Sequence, residues 1–97
     1  MRIVSRKKLR EFWERNPDAQ QSLEDWYKDT KAATWKKPTE IKDIYRNASF
    51  VANQRVVFNI KGNKYRLVVA INYEYSMVYI RFIGTHDEYN QTDVTLV

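Results

Sequence analysis

The sequence predicts an α+β domain in which helices pack on one face of an antiparallel sheet. Two observations carry this prediction. Apolar residues recur at helical spacing between Leu9 and Tyr45, and from Arg55 onward they alternate with polar ones at period two. Breakers at Asn16-Pro17, Lys37-Pro38 and Gly62-Asn63 then divide the chain into short elements.

Taken in order, Arg2-Ile3-Val4-Ser5 reads as a short strand, and Ser5 as the cap of a helix starting at Arg6. Leu9, Phe12 and Trp13 form the apolar stripe of that helix. Asn16-Pro17 ends it, because the residue before proline is pushed out of the α region. Asp18 followed by Gln21 has the capping-box pattern and opens a second helix. Leu23, Trp26 and Tyr27 share one face of it, continued by Thr30 and by Ala33 or Thr34. Lys36-Lys37-Pro38-Thr39 breaks the chain again, and Thr39 caps a short turn holding Ile41, Ile44 and Tyr45. Residues 46–54 read as loop. Trp13, Trp26 and Trp35 read as core or core-edge residues.

In the second half, Val56, Phe58 and Ile60 alternate with Arg55, Val57, Asn59 and Lys61, and Gly62-Asn63 supplies a tight hairpin turn. A two-residue turn there sets Ile60 opposite Tyr65, Asn59 opposite Arg66 and Arg55 opposite Ala70. A second two-residue turn at Tyr75-Ser76 sets Tyr73 opposite Val78, Asn72 opposite Tyr79 and Ala70 opposite Arg81. A one-residue slip exchanges every face and buries Arg81 among Phe58 and Leu67, so this register is favoured. Gly84 is expected to stop the sheet. Thr85 and Glu88 form a further capping box over a helical turn from His86 to Gln91, and Asp93–Val97 reads as a last short strand or a tail. Neither repeat nor linker interrupts residues 1–97, which form a single domain.

The chain holds 97 residues, 43% hydrophobic and 30% charged, with two Gly, two Pro and no Cys. That balance excludes intrinsic disorder and collagen-like sequence, and the missing cysteine excludes disulfide frameworks, zinc knuckles and thiol nucleophiles. A reducing cytoplasm is compatible with it. The longest apolar run, Leu67-Val68-Val69-Ala70-Ile71, is far short of the roughly 20 residues of a membrane helix, and the basic start Met1–Lys8 has no apolar segment behind it that would make a signal peptide. Seventeen Lys and Arg against twelve Asp and Glu leave a net charge of +5, which favours a polyanionic partner such as nucleic acid.

The expected register gathers Arg55, Asn59, Lys61, Lys64, Arg66, Asn72, Tyr79 and Arg81 on the sheet face away from the helices. Solvated sheet faces need no function, but they ordinarily mix both signs; between Arg55 and Arg81 the only acid is Glu74. Tyr79 adds a stacking surface among the cations. His86, the only histidine, stands at the start of the capped turn, and imidazole is the side chain that ordinarily titrates near neutrality. Tyr89 lies one helical turn on, so both rings project toward one side. A lone histidine is more often structural or merely exposed than catalytic, but a place beside Gly84 and Thr85, three residues before Tyr89, brings the two readings level. Asp87, Glu88 and Asp93 lack a second ligand-rich segment, so neither a metal site nor another cofactor site is expected.

Two segments, Arg55-Val56-Val57-Phe58-Asn59-Ile60-Lys61-Gly62-Asn63-Lys64-Tyr65-Arg66-Leu67 and Tyr79-Ile80-Arg81-Phe82-Ile83-Gly84-Thr85-His86-Asp87-Glu88-Tyr89, resemble the HigB family of toxins. So do Ile3–Lys7, Glu11-Phe12-Trp13, Pro17-Asp18-Ala19 and Trp35-Lys36, which extends the likeness to nearly the whole chain. The resemblance implies the RelE/ParE-like β-α-α-β-β-β fold and an antitoxin partner that carries a helix-turn-helix, as HigA-like proteins do. It also implies mRNA interferase activity, typically on the translating ribosome.

By position in the family's motifs, Arg66, Arg81, His86 and Tyr89 are the expected catalytic residues. Asn63 matches as well and is expected to bind RNA with Arg55, Lys61, Lys64 and Tyr79. The family usually has Asp after the tyrosine, where this chain has Asn90. The implied reaction is metal-independent attack of the RNA's own 2′-OH on the adjacent phosphate. Arg66 and Arg81 stabilise the charge, and His86 or Tyr89 moves the proton. The rival reading is a non-catalytic toxin, either an RNA binder or a gyrase inhibitor of the ParE kind.

Overall fold

The computed structural model describes residues 1–97 and contains one five-stranded sheet. In chain order the elements are β1 (Arg2–Val4), α1 (Arg6–Arg15), α2 (Gln20–Ala32), α3 (Pro38–Ile44), β2 (Ser49–Val51), β3 (Arg55–Ile60), β4 (Tyr65–Asn72), β5 (Met77–Thr85) and α4 (His86–Asn90). A 3-10 turn at Pro17–Ala19 leads into α2. The strands lie in the order β1-β5-β4-β3-β2. The class is α+β, as the sequence predicts, but the sheet is mixed. β1 runs parallel to β5, because the chain crosses the whole helical layer before it returns to β1's side.

α1 turns Leu9, Phe12 and Trp13 inward, α2 contributes Leu23, Trp26 and Thr30, and α3 adds Ile41. They close over Val56, Phe58 and Ile60 of β3, Tyr65, Leu67, Val69 and Ile71 of β4, and Val78 and Ile80 of β5. Phe12 meets Tyr65 edge-on at 5.2 Å between centroids, and Trp26 meets Phe58 at 5.5 Å. Each such side chain contributes about 1.5–3 kcal/mol by leaving water. All three tryptophans are buried. No helix is long and apolar enough to cross a membrane.

Several local expectations change. Residues 46–54 are not all loop, since Ser49–Val51 pair with Arg55–Val57 as the edge strand β2. Ser5 stands at the N-cap of α1 without a side-chain bond. Asp18 does not cap α2, because its carboxylate is taken by Lys64 and Tyr65. Lys37, not Thr39, is the N-cap of α3, with Pro38 as its first helical residue.

The β3–β4 register is the predicted one throughout, from Ile60 opposite Tyr65 to Arg55 opposite Ala70. Left-handed backbone in its turn falls on Lys61 and Gly62 rather than on Asn63. The β4–β5 register differs. The turn takes in four residues, Tyr73–Ser76, so Asn72 faces Met77 and Ala70 faces Tyr79. That shift of two preserves the faces as far as Ile80. Val69 then pairs with Ile80 while Val68 pairs with Phe82, leaving Arg81 as the extra residue of a β-bulge. The bulge reverses the alternation beyond it. Phe82, which unbroken alternation from Val78 and Ile80 would turn into the helical core, instead packs on the opposite face with Val57, Val68 and Val94. Gly84 does not stop the strand, which runs through Thr85.

Candidate nucleic-acid interface

The face away from α1–α3 is not an open basic plane. Its middle is apolar: Val57, Val68 and Ala70 are buried, and the C-terminal segment packs Val94 against Val57 and Val68. That segment forms turns rather than a strand. The Asn53 side chain donates to the Thr95 carbonyl at 3.0 Å, and Arg55 donates to the main-chain oxygens of Asn53 and Val97. Arg55 therefore serves to hold the C-terminal segment on the sheet. The basic residues are separated by this apolar strip.

At the hairpin end of the sheet, four of the predicted residues come together. Arg66 is only 8% exposed and sits opposite Asn59 on β3 and Gly84 on β5. It donates to the Asn63 carbonyl at 3.0 Å, the Asn63 side-chain oxygen at 2.6 Å and the Tyr65 carbonyl at 3.2 Å. A guanidinium has five N–H donors, so two remain for an outside acceptor, the Nε–H among them. The Tyr89 ring lies over this guanidinium, 5.9 Å from centroid to Cζ. Asn63 thus orients Arg66 from below the turn, and Tyr89 covers it.

His86 is placed beside them by two local devices. Thr85 accepts from the Glu88 main-chain N–H at 3.1 Å while the Glu88 carboxylate accepts from that of Thr85 at 2.8 Å, the reciprocal cap the sequence predicts. The main-chain N–H of His86 then donates to the Lys64 carbonyl at 3.2 Å, pinning the start of α4 to the hairpin. The imidazole itself is exposed. Gly84 makes this approach sterically feasible. A Cβ there would stand 2.7 Å from the Phe82 ring and 3.0 Å from the capping carboxylate of Glu88.

The remaining predicted residues lie around this group. Arg81 is exposed at the bulge, its Cζ 5.4 Å from the centroid of the half-buried Tyr79. By strand rise it lies roughly 7–9 Å along the sheet from the level of Arg66. Lys61 is exposed on the turn and forms no ion pair. Lys64 is exposed but compensated by Asp18, which also accepts from the Tyr65 hydroxyl at 2.6 Å. The Lys64 bond, and then the Tyr65 bond, hold the Asp18 carboxyl below the usual carboxylate range; the same Asp18 bonds raise Lys64 and Tyr65. No three His, Asp or Glu side chains converge as metal ligands would.

Sequence reasoning missed Asp18 as the partner of Lys64, Gly84 as a clearance, and Phe82 with Val94 as the lining beside Tyr89. Only Asn59 was in reach, since the predicted register already sets it against Arg66.

The chain resembles known proteins over most of its length. The model of the HigB toxin family, described as the RelE-like toxic component of a toxin-antitoxin system, matches residues 19–92. The mRNA interferase toxin HigB of Escherichia coli (strain K12) is 28% identical over 93 residues, covering 93% of this chain and 88% of the relative. The mRNA interferases HigB of Escherichia coli O157:H7 and Shigella flexneri match with the same identity and coverage. With residues 19–92 inside the family's match and the sheet and helices arranged as described, this chain belongs to the HigB toxin family, the RelE-like toxic components of toxin–antitoxin systems.

Proposed function

We propose that this toxin is an endoribonuclease that cleaves mRNA on the ribosome in the cytoplasm, without a metal ion, until a helix-turn-helix antitoxin of the HigA kind binds it. The observation that carries the reading is the meeting of Arg66, Tyr89 and His86 at one end of the sheet, with two N–H groups of Arg66 left free for an anion. The curated relatives named mRNA interferases support the same activity.

RNA carries its own nucleophile. The 2′-oxygen forms a bond to the adjacent phosphorus as its proton leaves, the bond from phosphorus to the 5′-oxygen breaks, and that oxygen takes up a proton. The products are a 2′,3′-cyclic phosphate and a 5′-hydroxyl. Arg66 and Arg81 hold the phosphate and the charge it gains, a kind of stabilisation worth about 3–4 kcal/mol for a lost donor. Arginine keeps its protons throughout, so the proton moves through His86, with Tyr89 as the next group in reach. Tyr79 and Tyr89 offer ring faces to unpaired bases.

The test is to incubate the protein with mRNA in excess EDTA, with and without translating ribosomes, and to map the new 5′ ends. Cuts bearing 5′-hydroxyls, more frequent with ribosomes, are expected. Intact RNA in both mixtures, retained by the protein on a gel, would make it a binder instead.

A further inference from the structure

The β3 strand loses its outer neighbour one residue too early, and a cavity opens there. The main-chain N–H of Ile71 donates to the Gln54 carbonyl, and that of His86 to the Lys64 carbonyl. In antiparallel ladders the direction of these bonds alternates from residue to residue. Gln54, Val56, Phe58 and Ile60 therefore face β4, while Arg55, Val57 and Asn59 face the outer edge. β2 covers that edge with Val51 against Arg55 and Ser49 against Val57, and then ends. The next partner of Asn59 in this sequence of pairs is Asn47, but no hydrogen bond joins them. The N–H and C=O of Asn59 are left without a protein partner. Between them and the loop before β2 lies a cavity of about 270 Å³, lined by Tyr45, Arg46, Asn47, Phe58, Asn59 and Gly62 among others.

We infer that this cavity is a subsite for one unpaired base of the RNA substrate, a reading that rests on the endoribonuclease function proposed above. Asn59 is the cross-strand partner of Arg66, so the main chain that edges the cavity lies one strand, about 5 Å, from that of the phosphate-binding arginine. Its main chain presents a donor and an acceptor side by side, the complement of a base edge, and Asn47 and Asn59 add two amides. Tyr45 supplies a ring held by two contacts, its hydroxyl donating to Asp29 at 2.9 Å and its ring T-shaped to that of Phe58 with centroids 5.1 Å apart. Arg46 is exposed at the rim and makes no ion pair, which suits a flanking phosphate. At Gly62 an added Cβ would meet no atom within 4 Å, so the approach is open. An added peptide strand fits worse. Strand addition needs a row of free main-chain groups, and only Asn59 is free between the end of β2 and the turn.

The test uses a single-stranded RNA hexamer made uncleavable by 2′-O-methylation, its abasic derivatives, and the 15N-labelled toxin. The Asn59 amide and the Arg66 Nε–H are both expected to shift when the intact hexamer is added. An abasic residue at one position beside the scissile phosphate should abolish the Asn59 shift, spare the Arg66 shift and weaken binding about tenfold. In Asn47→Trp, which fills the cavity, intact and abasic hexamers should bind alike. If Arg66 shifts while Asn59 does not, the base subsite is wrong and the RNA reading stands. If neither shifts, RNA binding at this end of the sheet is wrong as well. An Asn59 shift produced equally by an extended acidic peptide would make the cavity a protein-docking notch. The wild-type titration decides the matter even if Asn47→Trp fails to fold.

Discussion

The two faces of the sheet share every strand and differ in what covers them. Under α1–α3, eighteen buried side chains form one continuous core. On the other face only Val57, Val68 and Val94 form a buried cluster, with Val51, Phe82, Tyr89 and Val97 packed around it. The large cluster makes the fold cooperative. The small one sets where Tyr89 lies over Arg66, so packing on this face is part of the site's geometry. Substitutions on the two faces should therefore separate stability from activity.

The largest stability loss is expected from Phe58→Ala on the helical face, about 3–5 kcal/mol in urea unfolding, because the ring touches both Trp26 and Tyr45. Were Val68→Ala to cost as much, the distinction between the faces would fail. His86→Gln should instead leave the melting temperature unchanged and reduce cleavage on the order of 10²–10⁴-fold, with RNA binding retained. Near-wild-type cleavage would reduce His86 to the first residue of the capped turn. Val68→Ala should cost about 1.5 kcal/mol for its two lost methyl groups and also lower the cleavage rate by loosening Tyr89. Arg81→Lys should lose on the order of tenfold in cleavage, since a point charge does not reproduce the fork that grips phosphate. Full activity of that variant would mean that charge alone suffices.

The smallest effect belongs to the surface pair of Asp18 and Lys64. Asp18 is held below the usual carboxylate range in the folded chain, so its contribution is present above about pH 4 and is lost as the pH falls through its folded value. Lys64 and Tyr65 are raised, so their share is present below about pH 10 and is lost as the pH rises through their folded values. Asp18→Asn should thus melt lower than wild type at pH 7 and converge with it in acid. A gap that persists at pH 2 would assign the effect to something other than charge.

Much of this arrangement was legible in the sequence, and the exceptions share a cause. The β3–β4 register could be read because Gly62 and a strict period of two locate the turn and the faces together. The β4–β5 register could not. Ser76 takes a positive φ without being glycine, and the bulge at Arg81 has no residue signature. Asp18 looks like a helix cap because its neighbours say so, but a lysine and a tyrosine 46 and 47 residues away compete for the same carboxylate. β2 is three residues long, too short for periodicity to reveal. The cover supplied by Val94 and Val97 is likewise invisible in a segment without a pattern. Of the site, the residue types were readable, while the clamp of Asn63 on Arg66 and the clearance at Gly84 required the tertiary structure.

The central claim is that Arg66, oriented by Asn63 and covered by Tyr89, acts on the reacting phosphate rather than merely attracting RNA. The direct measurement compares Arg66→Ala with wild type in two readouts on one RNA: the dissociation constant for an uncleavable 2′-O-methyl oligonucleotide, and the single-turnover cleavage rate of the matching ribose oligonucleotide at saturating protein. The account predicts binding weakened only severalfold and cleavage reduced on the order of 10²–10³-fold, since the lost donors act mainly on charge that develops in the transition state. A variant that stays folded and, once saturated, cleaves at the wild-type rate would contradict it and make Arg66 a docking residue.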